Sequence, residues 1–388
     1  MRPRSTRWRS AHAVSACTRS STSASSTLAW DTWSSASRSW RRASTTWRWR
    51  RRLPELRIDP LTGLRTIVAS ERARRPGGDW RIPEPARVDP ESDPFLEGHE
   101  ERTPPEVFAL RPDGGPPDGP GWTVRVVPNL YPSLAAADGE PPSPVADPLA
   151  GGRGEPDLFP ARPALGANEV IVNGPGPASS LLDLEPGQVE IAMDVWRERM
   201  RTHKDAAYVH LSLNEGPEAG ASLPHTHAQL YALSFVPAVI ARERERFTAY
   251  WDRTQGRNLL EDLLQEEVRR RERVVAIDSE AVALCPFASR VPYQLQVIPR
   301  RPRGRFEADG PLASALLHQL LGRLRTVLGR LPPLNLWVRT APRGAEHFCW
   351  RIDLLPRLTQ LAGLEMGTGV NLNVVAPERA AEQLRDAA

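Results

Sequence analysis

The chain has 388 residues, 40% of them apolar, with a formal net charge of +4 and a pI near 9.3. That length suits two modest domains or one two-lobed unit, and no apolar run reaches the ~20 residues that span a bilayer. Three cysteines, Cys17, Cys285 and Cys349, are too few and too scattered for a disulfide framework or a Cys-x-x-Cys metal site, so a soluble protein of the reducing cytoplasm is expected.

The charge is uneven. Residues 1–53 carry twelve arginines, half of the twelve tryptophans and a single acid, Asp31, with no helical or strand period. Without them the chain has 39 Lys and Arg against 46 Asp and Glu, an excess of seven acids that gives no general case for nucleic-acid binding. Residues 1–53 therefore read as a disordered or spurious extension, with an organelle transit peptide as the alternative. Globular sequence starts at Arg57-Ile58-Asp59-Pro60-Leu61-Thr62-Gly63, a turn followed by the strand-like run Arg65–Ala69. Residues 76–121 and 133–160 are rich in Pro, Gly and acids and read as loops. Between them Trp122–Val127 alternates like a strand.

Further along, Val189, Ala192, Met193, Trp196 and Met200 recur at three- and four-residue spacing, which predicts an amphipathic helix covering a sheet. Val209, Leu211 and Leu213 alternate with His210 and Ser212 as a half-buried strand. A glycine-rich loop over 214–224 then leads into His225–Tyr231, which reads as another strand. The pattern repeats with variation: strands are expected at 281–285, 293–298 and 334–339, with a helix carrying Leu317, Leu320, Leu321, Leu324 and Leu328. The expected fold is α+β, two tandem lobes over 54–240 and 241–388, each an antiparallel sheet with covering helices.

Chemistry concentrates in Asn214-x-Gly216-x-x-x-Gly220-x-Ser222-x-Pro224-His225-x-His227-x-Gln229. Glycines let a backbone approach a ligand closely and expose N–H donors, which suits a phosphate. Residues 225, 227 and 229 alternate on the expected strand, so two imidazoles and an amide share one face at steps of about 6–7 Å. A neutral imidazole attacks phosphorus well near pH 7, and its N–P adduct stays reactive enough to pass the group on. Without the Asn, Gly and Ser context the same histidines would read as a metal pair or a solvated face. His99, His203, His210 and His318 share no motif and read as ordinary strand, helix or loop histidines.

From about Arg57 to Ala388 the sequence resembles the galactose-1-phosphate uridylyltransferase family of the histidine triad superfamily, whose signature is a His-Pro-His-Gly-Gln strand preceded by Asn, Gly and Ser at these offsets. Further matches are Asp59–Gly63, Arg72-Ala-Arg-Arg75-Pro76, Val127-Pro-Asn129-x-Tyr131-Pro132, Glu169–Val172 and Ala288-Ser-Arg290-x-Pro292-Tyr293. The resemblance implies that His227 is the nucleophile that becomes nucleotidylated, beside His225, and that Gln229 hydrogen-bonds the transferred phosphoryl group. It implies nucleotide binding by Arg72, Arg75, Asn129, Asn214, Gly220 and Ser222, and sugar binding by Asn371. Read from residue type alone, the two arginines suit a diphosphate equally as they suit a solvated surface.

The implied reaction moves uridylyl between a UDP-sugar and a hexose 1-phosphate, with no nucleic-acid or membrane partner and with a homodimer as the expected assembly. An ADP-sugar phosphorylase, a nucleotide-sugar hydrolase and a non-catalytic nucleotide-binding relative are the alternatives. Relatives with a structural zinc use a Cys-x-x-Cys pair, a first-lobe His and the first His of the signature. Here Asp93-Pro94-Phe95-Leu96 stands in place of the cysteines and Gly174–Ala178 in place of the other His, so His225 is the one ligand left and little or no zinc is expected. A second metal set in some relatives pairs a Glu with a His-x-His. Glu243 has the right offset, but it faces Cys349-Trp350-Arg351 in that alignment and is expected on a charged helix surface with Arg242 and Arg244.

Overall fold

Alternation of apolar and polar residues builds most of the sheet that carries the site. The computed structural model describes residues 53–74, 80–136, 158–159 and 161–387; residues 1–52, Arg75 and most of the 133–160 loop lie outside the described residues. Strands β1 (Glu55–Ile58) and β2 (Arg65–Val68) come first. Then follow β3 (Phe108–Leu110), β4 (Val124–Pro128), β5 (Gly166–Val172), α1 (Pro186–Thr202), β6 (Tyr208–Glu215) and β7 (His227–Leu233). After α2 (Ala238–Thr254) and α3 (Leu259–Arg270), the same order of elements recurs as β8 (Val274–Ile277), β9 (Ala281–Leu284), β10 (Leu295–Pro299), α4 (Ser314–Leu328), β11 (Leu334–Arg339) and β12 (Arg351–Pro356). The chain closes with α5 (Gly363–Thr368), β13 (Asn371–Asn373) and α6 (Pro377–Asp386).

The fold is α+β, and the two repeats share one ten-stranded antiparallel sheet in the order β3-β4-β5-β7-β6-β11-β12-β10-β9-β8. They meet where β6 pairs with β11, from Leu334 opposite Glu215 to Val338 opposite Leu211. Either strand alone would be an edge with unpaired backbone groups, and joining the two edges satisfies both. The expected lobe boundary at 240/241 falls inside α2, and residues 53–388 form one compact unit.

One face of the sheet is apolar throughout. Leu211, Leu213, Ala228, Leu230, Leu336 and Val338 pack under Val189, Met193 and Trp196 of α1 and Leu317, Leu320, Leu321 and Leu324 of α4. At about 1.5–3 kcal/mol for each large side chain buried, this shared layer is the main stabilising contact between the repeats. On the opposite face, Phe247 of α2 and Leu260 and Leu264 of α3 cover Val282, Leu284 and Ile298 in the outer strands of the second repeat. Across β7, β6 and β11 that face instead carries Gln229, Tyr231, Ser212, Asn214, Asn335 and Trp337, all partly exposed. The small sheet β1-β2-β13 docks on the loop before β10: the Thr66 hydroxyl donates to the Ala288 carbonyl, and the Asn373 amide donates to the carbonyls of Ser289 and Val291. Among the described residues no helix is long and apolar enough to cross a membrane.

Candidate active site

His227 opens β7, opposite Val172 of β5, while His225 lies in the bend before it. The strand starts two residues later than its alternation predicts. Its approach is hooked to the 173–178 loop: the Thr226 N–H donates to the Ala178 carbonyl and the Asn173 N–H to the Thr226 carbonyl. The side chains still alternate. Phe95 lies against both rings, at 5.1 Å from His227 and 6.2 Å from His225, whereas the Thr226 hydroxyl points the other way and donates to Glu215.

His227 is only 6% exposed, and its Nδ1 lies 2.7 Å from the His225 carbonyl. A carbonyl only accepts, so Nδ1 must carry the hydrogen and Nε2 keeps a free lone pair. No partner for Nε2 occurs among the described residues. Burial is the main influence that lowers the pKa of the ring. The adjacent His225 adds to that effect, while the bond to the His225 carbonyl and the Asp93 charge oppose it. The result is a neutral imidazole in a fixed tautomer with one nitrogen available, which is what a nucleophile needs.

His225 is placed for a different task. It is 1% exposed, its Nε2 donates to the Gly174 carbonyl at 2.9 Å, and its Nδ1 meets Asp93 Oδ2 at 2.6 Å. Asp93 also caps its own turn, accepting the Phe95 N–H on Oδ1 at 3.0 Å, so both carboxylate oxygens are used. With both ring nitrogens occupied, His225 contributes position rather than a lone pair, and its carbonyl is the acceptor that sets the His227 tautomer. The Asp93 bond to His225 spans 132 positions, so no local pattern in the sequence shows it. A carboxylate on a tight Asp-Pro turn is the signal that was available. Zinc does not fit here, since the two positions that would supply further ligands offer a carboxylate already bonded to His225 and a main-chain carbonyl. Among the described residues no three His, Cys, Asp or Glu side chains converge on a metal position.

The glycine-rich loop turns on left-handed backbone at Gly216 (φ 85°) and Gly220 (φ 89°). At Gly216 a Cβ would also come within 2.9 Å of Pro333, so side chains are excluded by conformation and by space. Asn335 of β11 clamps the loop, its amide donating to Asn214 Oδ1 at 2.8 Å and to the Ala219 carbonyl at 2.7 Å. Periodicity in the sequence could not find it, because it arrives from the other repeat. Asn214 and Gln229 are thus on the polar sheet face, Gly220 and Ser222 on the exposed loop, and Asn129 just past β4, where its Oδ1 accepts the Tyr131 N–H. Asn371 sits in the small sheet, its amide 3.4 Å from the Arg65 carbonyl, and Arg72 is exposed after β2. Among the described residues neither has a hydrogen bond to His225, His227 or Gln229.

Beneath the site, Glu215 accepts from the Ser180 hydroxyl, the Leu181 N–H and the Thr226 hydroxyl. Burial nevertheless raises its pKa to about 7. One cavity, between the 179–183 and 215–218 loops, borders the glycine-rich loop through Glu215, Gly216 and Pro224, and another lies between α2 and α3; His227 lines neither. The chemistry faces the open polar stretch of sheet.

Glu243 corrects an expectation. It is fully buried and accepts a hydrogen bond from Arg351 at the start of β12, while Arg351 Nε donates to Asp353 at 3.3 Å. The helix surface reading failed because Glu243 shares the inner stripe of α2 with Ile240 and Phe247. The partner of Glu243 is an internal guanidinium. His347 stacks on Trp251 at 4.2 Å and takes no part.

A family model described as galactose-1-phosphate uridyl transferase, N-terminal domain, matches residues 123–237, and one described as a domain of unknown function (DUF4921) matches residues 185–387. The chain is 28% identical to ADP-glucose phosphorylase of Arabidopsis thaliana over 349 residues, covering 86% of this chain and 93% of that protein. It is also 28% identical to galactose-1-phosphate uridylyltransferase of Haemophilus influenzae, covering 86% and 94%. The solved structure of the Arabidopsis thaliana ADP-glucose phosphorylase with bound ADP-glucose aligns with a TM-score of 0.68 at 25% identity, over 87% of this chain and 99% of that one. A uridylyltransferase structure aligns with a TM-score of 0.62 at 26% identity, over 86% and 98%.

Proposed function

We propose, for a chain that belongs to the galactose-1-phosphate uridylyltransferase family and over 185–387 to DUF4921, a nucleotidyl transfer from a nucleotide sugar through a covalent nucleotidyl-His227. The observation that carries the reading is the His227 ring itself, buried, neutral, and held by the His225 carbonyl with Nε2 free. Its lone pair forms the N–P bond at the α-phosphorus while the bond to the bridging oxygen breaks, and the electron pair leaves on sugar 1-phosphate. An acceptor phosphate oxygen then attacks the same phosphorus and restores the imidazole. Gln229, two residues along the strand on the same face, donates to a phosphoryl oxygen, and the loop from Asn214 to Ser222 brings backbone donors to the phosphates.

In the finer reading the donor is a UDP-sugar and the acceptor a hexose 1-phosphate. A second reading, ADP-sugar phosphorolysis with inorganic phosphate as acceptor, is favoured by the similarity to ADP-glucose phosphorylase along 93% of that protein. Intact-mass analysis after incubation with UDP-glucose and with ADP-glucose tests both. A mass gain of one nucleotidyl group is expected, lost on mild acid treatment and absent in His227→Asn. Adding galactose 1-phosphate or phosphate to the loaded protein identifies the acceptor by which one discharges it. A protein that takes up neither uridylyl nor adenylyl would sink the covalent mechanism.

A further inference from the structure

We propose that Tyr231 is a positioning residue for this transfer and acts by fixing which end of the Gln229 amide faces the phosphoryl group. The inference rests on the reading of His227 as nucleophile and Gln229 as phosphoryl donor. His227, Gln229 and Tyr231 follow one another on the same face of β7, with steps of roughly 6–7 Å along the strand. An amide has two ends of nearly equal size and opposite character. With Nε2 outward it donates to a phosphoryl oxygen; turned over, it presents Oε1 and repels the same oxygen.

Tyr231 decides between these states, because its hydroxyl donates to Gln229 Oε1 and leaves Nε2 to face outward. A hydroxyl can both donate and accept, so its direction needs a cause of its own. That cause lies on β5. Asn168 stands directly opposite Tyr231, its Oδ1 accepting the Ser133 main-chain N–H at 3.4 Å and its Nδ2 donating to the Leu230 carbonyl at 3.3 Å. Both are long contacts, and both orient the amide the same way. That orientation leaves Asn168 a spare side-chain N–H across the strand pair from Tyr231; Asn168 draws the phenol pKa down while burial, the larger influence, raises it. The phenol stays protonated and its hydrogen goes to Gln229, with the spare Asn168 N–H opposite it as the donor its oxygen is free to accept.

The polarity of the series therefore starts at a main-chain N–H, which cannot be reversed. It runs from Ser133 through Asn168 and Tyr231 to Gln229, and ends at the transferred group. Tyr231 is half-buried, and its ring faces His210 at 6.4 Å, so a phenylalanine retains the packing and removes only the hydroxyl.

The test is a double-mutant cycle on the full chain with Tyr231→Phe, Gln229→Ala and the pair, read as the single-turnover rate of nucleotidyl-protein formation and as the half-saturating nucleotide sugar, with UDP-glucose and ADP-glucose as probes. Tyr231→Phe is expected to slow the step roughly tenfold, less than the full loss of an oxyanion donor, with half-saturation little changed. In the Gln229→Ala background the same substitution is expected to change nothing. A Tyr231→Phe protein as fast as wild type, or one that slows equally in both backgrounds, would overturn the inference while leaving the covalent mechanism intact. A wild-type protein that never becomes nucleotidylated would overturn both.

Discussion

An imidazole shielded from water holds its proton less firmly, and His227 is buried. Burial is the largest cause of its lowered pKa, and the favourable bond to the His225 carbonyl only partly offsets it. The reactive form is the neutral ring, so the rate of nucleotidylation should hold level as pH falls from 8 to about 6.5, the ordinary imidazole value. The acid limb should appear only below that, where the lowered pKa is finally crossed. Single-turnover rates across pH 5–8 check this, and a limb centred above 6.5 would contradict it. The pair of nitrogens on His227 and the pair on His225 have opposite fates for one reason: two acceptors converge on His225 and one on His227.

Helix α2 shows how an element can hide its purpose. Arg242-Glu243-Arg244 looks like a solvated charge triplet, but Ile240, Glu243 and Phe247 lie on one stripe at three- and four-residue spacing, and that stripe faces the sheet. A carboxylate on an apolar stripe needs a buried partner, and Arg351 is that partner. Removing one member of a buried pair leaves the other uncompensated. Arg351→Met should therefore lower the unfolding free energy by about 3–5 kcal/mol. Adding Glu243→Leu should recover part of that loss, because Glu243 is then no longer stranded, while Asp353 keeps its bonds from Gln296 and Trp337 and Arg339 at 3.6 Å. Urea denaturation of the two variants measures both, and a double variant no more stable than the single one would argue against the pair as the cause.

At the scale of the molecule, the same succession of three strands, a helix and two strands occurs twice, and its final strand begins once at His227 and once at Arg351. One repeat leaves a nitrogen of its leading side chain without a partner among the described residues, while the other commits that side chain to an ion pair. Because β6 and β11 zip the repeats into one sheet and α1 and α4 roof a common core, residues 53–388 should unfold in a single calorimetric transition with equal van't Hoff and calorimetric enthalpies. Two resolved transitions would mean that the repeats are energetically separate.

Local period was enough to read α1, β6, β7, α4 and β11 from the sequence, because each buries one face and the spacing of its apolar residues records which. The spacing of Asn214, Gly216, Gly220, His225, His227 and Gln229 likewise marks the candidate site, since those residues lie within sixteen positions of one another. What bonds to that segment was not legible. Asp93, Gly174, Asn335 and Asn168 reach it from other strands and loops, and Arg351 meets Glu243 across 108 positions. Periodicity is a property of neighbours in the chain, whereas the tautomer of a histidine and the partner of a buried carboxylate are set by atoms that only the folded sheet brings together.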